Sequence, residues 1–352
     1  MPKLFRNLSL LFTLFIVLGA AWYLTRPAPA PSEPELRHSY SRALAQAHNG
    51  QPGAARVLYQ QLARKDLSPI RRISLLAELP NYPSPQALKL VKADLADGQN
   101  LLVRHGAIDA VTRLVPDAQR SLLLGPLLDD DDQEMRFHAA RALLGLSPDD
   151  LGLYFARLDA VLDEYVQALL SAPDDADGQL QLARIYLYND DYTQALATLK
   201  HAHELAPGDL ETVAVQVRVL EKQGQNDASR QLLAEQLIAH PDSALLQHEL
   251  GQWLIRHGQG EYALLALARA SELEPDNSDY RYSLAVTLHQ MDQVEAAQRQ
   301  LDEILRRQPA NRKARVLLIE YWKQTGQLQN VQVLLAELEQ QNPDDPALQQ
   351  GL

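Results

Sequence analysis

A fixed interval between prolines organises the C-terminal half of this sequence. The interval of 34 residues separates Pro173, Pro207, Pro241, Pro275, Pro309 and Pro343. A period of this length is typical of stacked helical repeats, in which each unit buries its apolar face only against its neighbours. The sequence therefore predicts an array of helical hairpins, and such arrays usually bind other macromolecules rather than catalyse reactions.

Composition excludes several classes of function. The 352 residues include 33 lysines and arginines against 45 aspartates and glutamates, a formal net charge of −12. A general nucleic-acid binder needs a basic face that displaces counterions from phosphate, so we expect no nucleic-acid partner. The chain has no cysteine, which excludes disulfides, thiolate metal sites, iron–sulfur clusters and covalent c-type haem. We therefore expect neither a cofactor nor a bound metal.

The N-terminus contains a segment that predicts a membrane anchor. Residues 8–24, LSLLFTLFIVLGAAWYL, form an uncharged and mostly apolar run of 17 residues, near the lower limit for a membrane-spanning helix. Lys3 and Arg6 precede this run, and the positive-inside rule then places the N-terminal tip in the cytoplasm. Trp22 and Tyr23 lie at its far end, where aromatic rings favour the membrane interface. A cleaved signal peptide is the alternative, because a basic start and a short apolar core fit both.

A proline-rich spacer follows the apolar run. Residues 25–35, TRPAPAPSEPE, place proline at alternate positions, which blocks a helix and favours an extended, semi-rigid rod. Residues 1–7 are then a cytoplasmic tip of a single-pass protein of the inner (plasma) membrane. The rest of the chain would face the periplasm of a Gram-negative cell envelope.

Residues 36–172 predict a first group of helical repeats. The best internal match pairs 103–111 (VRHGAIDAV) with 136–144 (RFHAARALL), an offset of 33 residues. An apolar helix and an Asp-containing turn, such as 127–130 (LLDD), precede the Arg-bearing Ala/Leu helix. This pattern resembles HEAT repeats. Residues 151–172 then predict one longer amphipathic helix that joins this group to the array.

The C-terminal region, residues 173–352, resembles the tetratricopeptide repeat (TPR) family. Five units begin near residues 176, 210, 244, 278 and 312. The family pattern has Leu-Gly/Ala-x-x-Tyr in the first helix, Ala-x-x-x-Phe/Leu-x-x-Ala in the second, and then proline. The third unit matches it with Leu250, Gly251, Leu254, Ala263, Leu267, Ala270 and Pro275. The second unit departs most, with Gln216 and Val217 in place of the Leu-Gly pair.

Together the two resemblances imply an all-α fold. It would be a right-handed α-solenoid of HEAT-like and then TPR hairpins, behind an N-terminal transmembrane helix. The combination resembles the repeat portion of some bacterial multihaem cytochromes, although the sequence has no haem motif. Gly224, Gly258 and Gly326 share the 34-residue interval or twice that interval, and we expect them to end first helices in a left-handed turn.

The TPR resemblance also implies a binding surface, since positions 2, 5, 9, 12 and 13 of each first helix line a concave groove in that family. The predicted groove set here is Arg184, Leu187, Tyr188, Arg218, Glu221, Lys222, His248, Gln252, Arg256, Tyr282 and His289. Arg184 and Arg218 occupy the same position one unit apart, so we expect them side by side. Cationic and aromatic side chains in an acidic protein suggest an extended peptide, partly acidic or aromatic, as the ligand.

One binding mode of the family is not expected. Members that clamp a terminal carboxylate use asparagine at position 9 of the first helix. That position holds Arg184, Arg218, Gln252, Val286 and Glu320 in this sequence.

Other candidate sites carry weaker signals. His105 and His138 would lie on neighbouring helices, close enough to share a metal, but two histidines without a placed carboxylate are more often surface or packing residues. Asp129–Asp132 lacks the ligand spacing of a calcium-binding loop, and we interpret it as a solvated turn that caps the next helix. The sequence has no Ser/His/Asp set, phosphate-binding glycine loop or His-Glu-x-x-His motif, so we predict no enzyme.

The sequence therefore predicts a membrane-anchored, extracytoplasmic scaffold that binds other proteins or extended peptides of the cell envelope. The alternative is an assembly factor or chaperone for an envelope complex, for example in redox chemistry or polymer export. An enzyme with an unrecognised site is the third and least favoured hypothesis.

Overall fold

The computed structural model describes residues 39–96 and 98–349. Residues from Arg42 onward form one compact unit, built of helices joined by short turns, and no strand occurs in the described ranges. The predicted all-α repeat fold is therefore confirmed. The predicted anchor over 8–24 and the spacer over 25–35 lie outside the described residues. Among the helices of the described residues, none is long and apolar enough to cross a bilayer.

The N-terminal half contains nine α-helices in its described residues. They are α1 (Tyr40–His48), α2 (Ala54–Leu62), α3 (Pro69–Glu78), α4 (Pro85–Leu95), α5 (Leu101–Leu114), α6 (Asp117–Leu124), α7 (Gln133–Leu143), α8 (Pro148–Leu151) and α9 (Phe155–Ser171). Short 3-10 turns at Leu79–Asn81, Gly125–Asp129 and Gly152–Tyr154 connect some of them. Helices α3, α5, α7 and α9 pack side by side in chain order. The HEAT-like character of this half stays a prediction.

The C-terminal half consists of helical hairpins. Their helices are α10 (Ala176–Tyr188), α11 (Tyr192–Leu205), α12 (Leu210–Lys222), α13 (Asn226–Ala239), α14 (Ala244–Arg256), α15 (Gly260–Leu273), α16 (Ser278–Gln290), α17 (Val294–Arg307), α18 (Arg312–Gln324), α19 (Leu328–Gln341) and the short α20 (Pro346–Gln349). The first helix of each hairpin, α10, α12, α14, α16 and α18, packs against the helix that follows it.

Local chemistry repeats with the hairpins. The N-cap residues of the five first helices are Asp175, Asp209, Ser243, Asn277 and Asn311. Each side chain accepts a hydrogen bond from a backbone N–H in the first turn, which satisfies a donor that has no partner inside the helix. The residues that end the first helices with positive φ are Asp190, Gly224, Gly258, Asp292 and Gly326. The left-handed turn expected at the three glycines is thus confirmed, and aspartate, which tolerates that conformation, takes the same place in two units.

Close helix crossing explains one small residue of the repeat pattern. A Cβ atom at Gly251 of α14 would lie only 2.6 Å from Cγ of Leu267 of α15. Leu267 is fully buried and belongs to a core that continues through the following hairpins to Leu334. Each hairpin therefore shares its core with the next, as stacked repeats require.

In the N-terminal half, arginines at a regular interval join successive helices. Arg72, Arg104 and Arg136 lie on α3, α5 and α7, 32 residues apart. They pair with Asp94, Asp130 and Glu164 respectively. Asp130 is only 5% exposed, so the prediction of a solvated turn at 129–132 is wrong for this residue. The capping part of that prediction is confirmed, since Asp132 accepts from the Met135 N–H at 3.1 Å.

The helix predicted over 151–172 is shorter in the structure. It begins at Phe155, because Ser147 caps the separate short helix α8 and Gly152 then adopts φ +55°. Leu158, Val161 and Leu162 of α9 are buried, and α9 contacts both α7 and α10. It therefore joins the two halves, although the sequence placed its start four residues too early.

The two ends of the array meet. A Cβ atom at Gly50 would lie 2.7 Å from the carbonyl oxygen of Pro309, which places the backbones of the first and last hairpins in direct contact. The Gly53 N–H donates to the Gln340 carbonyl at 2.7 Å. We call this contact, from residues 50–83 to residues 309–342, the seam.

Buried polar side chains form hydrogen bonds across the seam and on its C-terminal side. The Asn342 side chain, 1% exposed, donates from Nδ2 to the Pro83 carbonyl at 2.8 Å. Arg315, 2% exposed, donates to the Pro309 carbonyl at 2.6 Å and pairs with Glu337. The superhelix is therefore closed, because side chains and backbone of α18, α19 and their turns contact the start of the N-terminal half.

Candidate binding groove

First helices of successive hairpins line two adjoining hollows. The larger hollow, about 420 Å³, is lined by Arg141, Leu144, Gly145, Gln181, Arg184, Leu187, Tyr188, Val215 and Arg218. We call it the junction hollow, because its lining comes from α7 and the turn after it as well as from α10 and α12. It lies where the N-terminal half meets the tetratricopeptide-like hairpins.

A second hollow continues the first. It measures about 400 Å³ and is lined by Leu187, Arg218, Glu221, Lys222, Asn226, Arg256 and His257. Leu187 and Arg218 belong to both hollows, so the two form one continuous groove across α10, α12 and α14. Seven residues of the predicted groove set therefore lie together, and Arg184 and Arg218 both line the junction hollow as expected of neighbours.

The other four residues of the predicted set lie outside these hollows. Three of them, His248, Tyr282 and His289, contact the next first helix, and Gln252 contacts His248 of its own helix. The His248 ring is 3.0 Å from the Ser283 hydroxyl and 3.4 Å from the Gln252 amide. The His289 ring stacks on Tyr321 with centroids 3.8 Å apart. The Tyr282 ring lies 4.1 Å from the Lys313 ammonium nitrogen. These contacts link one first helix to the next.

Ion pairs across the first helices set the charge of the groove. Arg184 pairs with Glu211, and Arg256 pairs with Glu221 at 2.6 Å. Glu249 is 5% exposed, and burial raises the pKa of its carboxyl, although Arg218 and Arg256 favour the ionised form. Its Oε1 lies 3.6 Å from Arg218 and 3.5 Å from Arg256, too far for strong hydrogen bonds. The cations of the groove are thus only partly neutralised.

Sequence reasoning missed several lining residues. Arg141, Leu144 and Gly145 come from the N-terminal half, which the repeat pattern does not align with the first helices. Asn226 and His257 are at the ends of the hairpin turns. The 34-residue register could have indicated Asn226 and His257 as neighbours of position 13, whereas no sequence signal places Arg141 of α7 in the same hollow as residues of α10 and α12.

The histidine pair of the N-terminal half is assembled but does not form a metal cluster. The rings of His105 and His138 lie 4.7 Å apart, and Nε2 of His138 is 2.9 Å from Asp109. Burial, followed by His138, lowers the pKa of His105. No group of three or more histidine or acidic residues in the described residues is arranged to hold a metal ion.

Comparisons with known proteins agree with the geometry of the hairpins. Two tetratricopeptide repeat family models match the chain, one over residues 187–250 and the other over residues 265–334. No curated protein sequence matches it.

Solved structures similar to the chain include two that are described as TPR proteins. TTC0263, a thermophilic TPR protein in Thermus thermophilus, is 23% identical over 47% of this chain and 91% of its own, with a TM-score of 0.40. YrrB, described as a TPR protein with an unusual peptide-binding site, is 18% identical over 54% and 98%, with a TM-score of 0.37. Yeast Tom70 is 14% identical over 85% and 76%, with a TM-score of 0.44.

The two family-model matches fall on the hairpins of the C-terminal half. The same hairpins show the 34-residue register, the capped first helices and the left-handed turns. Repeats of this class serve as scaffolds for protein–protein interaction. The chain contains tetratricopeptide repeats, which the family models match over residues 187–250 and 265–334.

Proposed function

We propose that this protein is a membrane-anchored, extracytoplasmic scaffold that binds partner proteins or extended peptides along its groove. The observation that supports binding most directly is the continuous groove of two hollows joined at Leu187 and Arg218. Its walls carry Arg141, Arg184 and Lys222 in a protein of net charge −12. A local cationic surface on an acidic protein favours partners with acidic segments.

The anchoring part of the proposal rests on sequence. Residues 8–24 are apolar and follow Lys3 and Arg6, which favours a single-pass helix with a cytoplasmic tip. A C-terminal reporter that is active only outside the cytoplasm tests this topology. We expect it to be active, and an inactive reporter on a folded chain would reverse the proposed orientation.

A cross-linking pull-down from native membranes, read by mass spectrometry, tests the groove. The variant combines Arg184→Gln, Arg218→Gln and Lys222→Gln. The matched control combines Lys200→Gln, Arg230→Gln and Arg299→Gln, which removes the same charge from exposed positions on second helices.

We expect the groove variant to capture its partners at least about tenfold less than the wild type, since each change removes a charge-assisted contact. The control should capture as the wild type does. Equal capture by a folded groove variant would show that the partners bind elsewhere. Stoichiometric co-purification would indicate a structural subunit, and substoichiometric capture of unfolded chains would indicate a chaperone.

A further inference from the structure

Three arginines line the junction hollow together with apolar side chains. Arg141 of α7, Arg184 of α10 and Arg218 of α12 contribute to its lining together with Leu144 and Leu187. None of the residues that line this hollow is a carboxylate. The hollow therefore contains both arginine side chains and apolar side chains in its lining.

Among the described residues, only Arg184 of these three arginines forms a close ion pair, and Arg141 has a hydrogen bond with the Tyr165 hydroxyl. Arg184 pairs with Glu211. Within the described ranges no carboxylate forms an ion pair with Arg141, and the nearest carboxylate oxygen to Arg218 is that of Glu249 at 3.6 Å. Arg218 also donates from Nε to the Ala214 carbonyl, at 3.3 Å, and its side chain contributes to the lining of both hollows.

We infer that the junction hollow binds a peptide carboxylate that lies next to a large apolar side chain of the same peptide. The planar guanidinium group matches a carboxylate through paired N–H donors. The apolar lining residues Leu144, Leu187 and Val215 bury the neighbouring side chain of the peptide. The hollow has a volume of about 420 Å³, which lies in the range of pockets that bind small ligands.

This inference rests on the proposed function and narrows it to one chemical class of ligand. Two groups of a peptide supply such a carboxylate: the side chain of an aspartate or glutamate, and the C-terminus of the peptide. The family's asparagine-based clamp for a terminal carboxylate is absent, and the junction hollow includes Arg141 of α7, which lies outside the tetratricopeptide-like hairpins.

Fluorescence anisotropy with four labelled peptides tests the inference on the full chain in detergent. The first probe is fluorescein-GSGSGPLF with a free C-terminus, and the second is the same peptide with a C-terminal amide. The third is amidated fluorescein-GSGDLFGS, and the fourth replaces its aspartate by asparagine. The pairs separate a terminal carboxylate from a side-chain carboxylate.

We expect one charged probe to bind at least about tenfold more tightly than its neutral counterpart, since a charge-assisted pair with arginine is lost in the neutral one. Arg141→Gln should weaken binding of that probe about tenfold, and serine in place of its leucine and phenylalanine should weaken it further. Arg230→Gln on a second helix should leave binding unchanged.

Equal binding of charged and neutral probes, unchanged binding to Arg141→Gln, or no binding at about 1 mM probe would overturn the inference. The pull-down described above separates this failure from that of the proposed function. Capture that is lost in the groove variant while the probes fail would retain the scaffold and reject the carboxylate site. Capture that survives in the groove variant would reject both.

Discussion

Gly50 lies directly against Pro309, 259 residues further along the chain. Its φ is +57°, and an added Cβ atom would approach the Pro309 carbonyl oxygen to 2.7 Å and the Ala310 nitrogen to 2.9 Å. In a linear repeat array each unit contacts only its neighbours. This contact, and the bond from Asn342 to Pro83, couple the segments beside α1 and α4 to those beside α18 and α19.

Gly50→Ala should weaken the seam. The new Cβ meets backbone that cannot rotate away, in addition to the cost of about 1 kcal/mol for an alanine in the left-handed region. We expect faster amide hydrogen exchange both in residues 54–82 and in residues 312–341, measured by mass spectrometry. The two stretches respond together because they are the two faces of one contact.

Gly258→Ala is the matched control for the seam. Gly258 has φ +70°, and a Cβ added there meets nothing within 4 Å. Gly258→Ala has the same cost in backbone free energy without the steric clash. Amide hydrogen exchange should therefore rise only near its own hairpin. Exchange in Gly50→Ala that rises on one side of the seam alone, or not at all, would show that the ends are not coupled.

Asp130→Asn should destabilise the N-terminal half. Burial opposes ionisation of Asp130, but its bonds to Arg104 and to the Asp132 N–H outweigh burial and hold its pKa below the ordinary value. The substitution removes the negative charge that faces Arg104, which is also buried, at a cost of about 3 kcal/mol at pH 7. Urea unfolding measures this loss. Asp276, which pairs with Arg307, is 89% exposed, and Asp276→Asn should change stability by less than about 1 kcal/mol.

The effect of Asp130→Asn should depend on pH in one direction. A carboxyl with a lowered pKa in the folded state contributes stability above its ordinary pKa of about 3.9 and loses that contribution as the pH falls through the lowered value. The difference between wild type and variant should therefore shrink below about pH 4. A difference that is the same at pH 7 and in acid would exclude the ion pair as its cause.

Glu249→Gln should have the opposite pH dependence. Because burial raises the pKa of Glu249, its contribution to stability is present below its ordinary pKa of about 4.3 and is lost as the pH rises through the raised value. Thermal unfolding should show the variant more stable than wild type at pH 7 and equal to it near pH 4. The exposed Glu261→Gln serves as the control. A less stable Glu249→Gln at pH 7 would mean that the ion pairs with Arg218 and Arg256 dominate over burial.

Much of the fold was predictable because the information is local. The N-caps from Asp175 to Asn311 and the turns at Gly224 and Gly258 depend on the backbone geometry of a few residues, so they recur in the sequence at the interval of the structure. The small residue at Gly251 faces its own hairpin partner. The exceptions are equally local: the turn at Gly152 shortened a helix whose apolar stripe looked continuous.

The sequence by itself determined the class of this protein: helical hairpins in register, of the tetratricopeptide type, with a first helix that presents charged and aromatic side chains. Only the tertiary structure decided that the array closes at Gly50 and Pro309, and that Arg141 joins Arg184 and Arg218 around one hollow. A repeat pattern specifies contacts between neighbouring units. The place where distant units meet depends on the small rotation from each unit to the next, added over the whole array, and no single position in the sequence carries that sum.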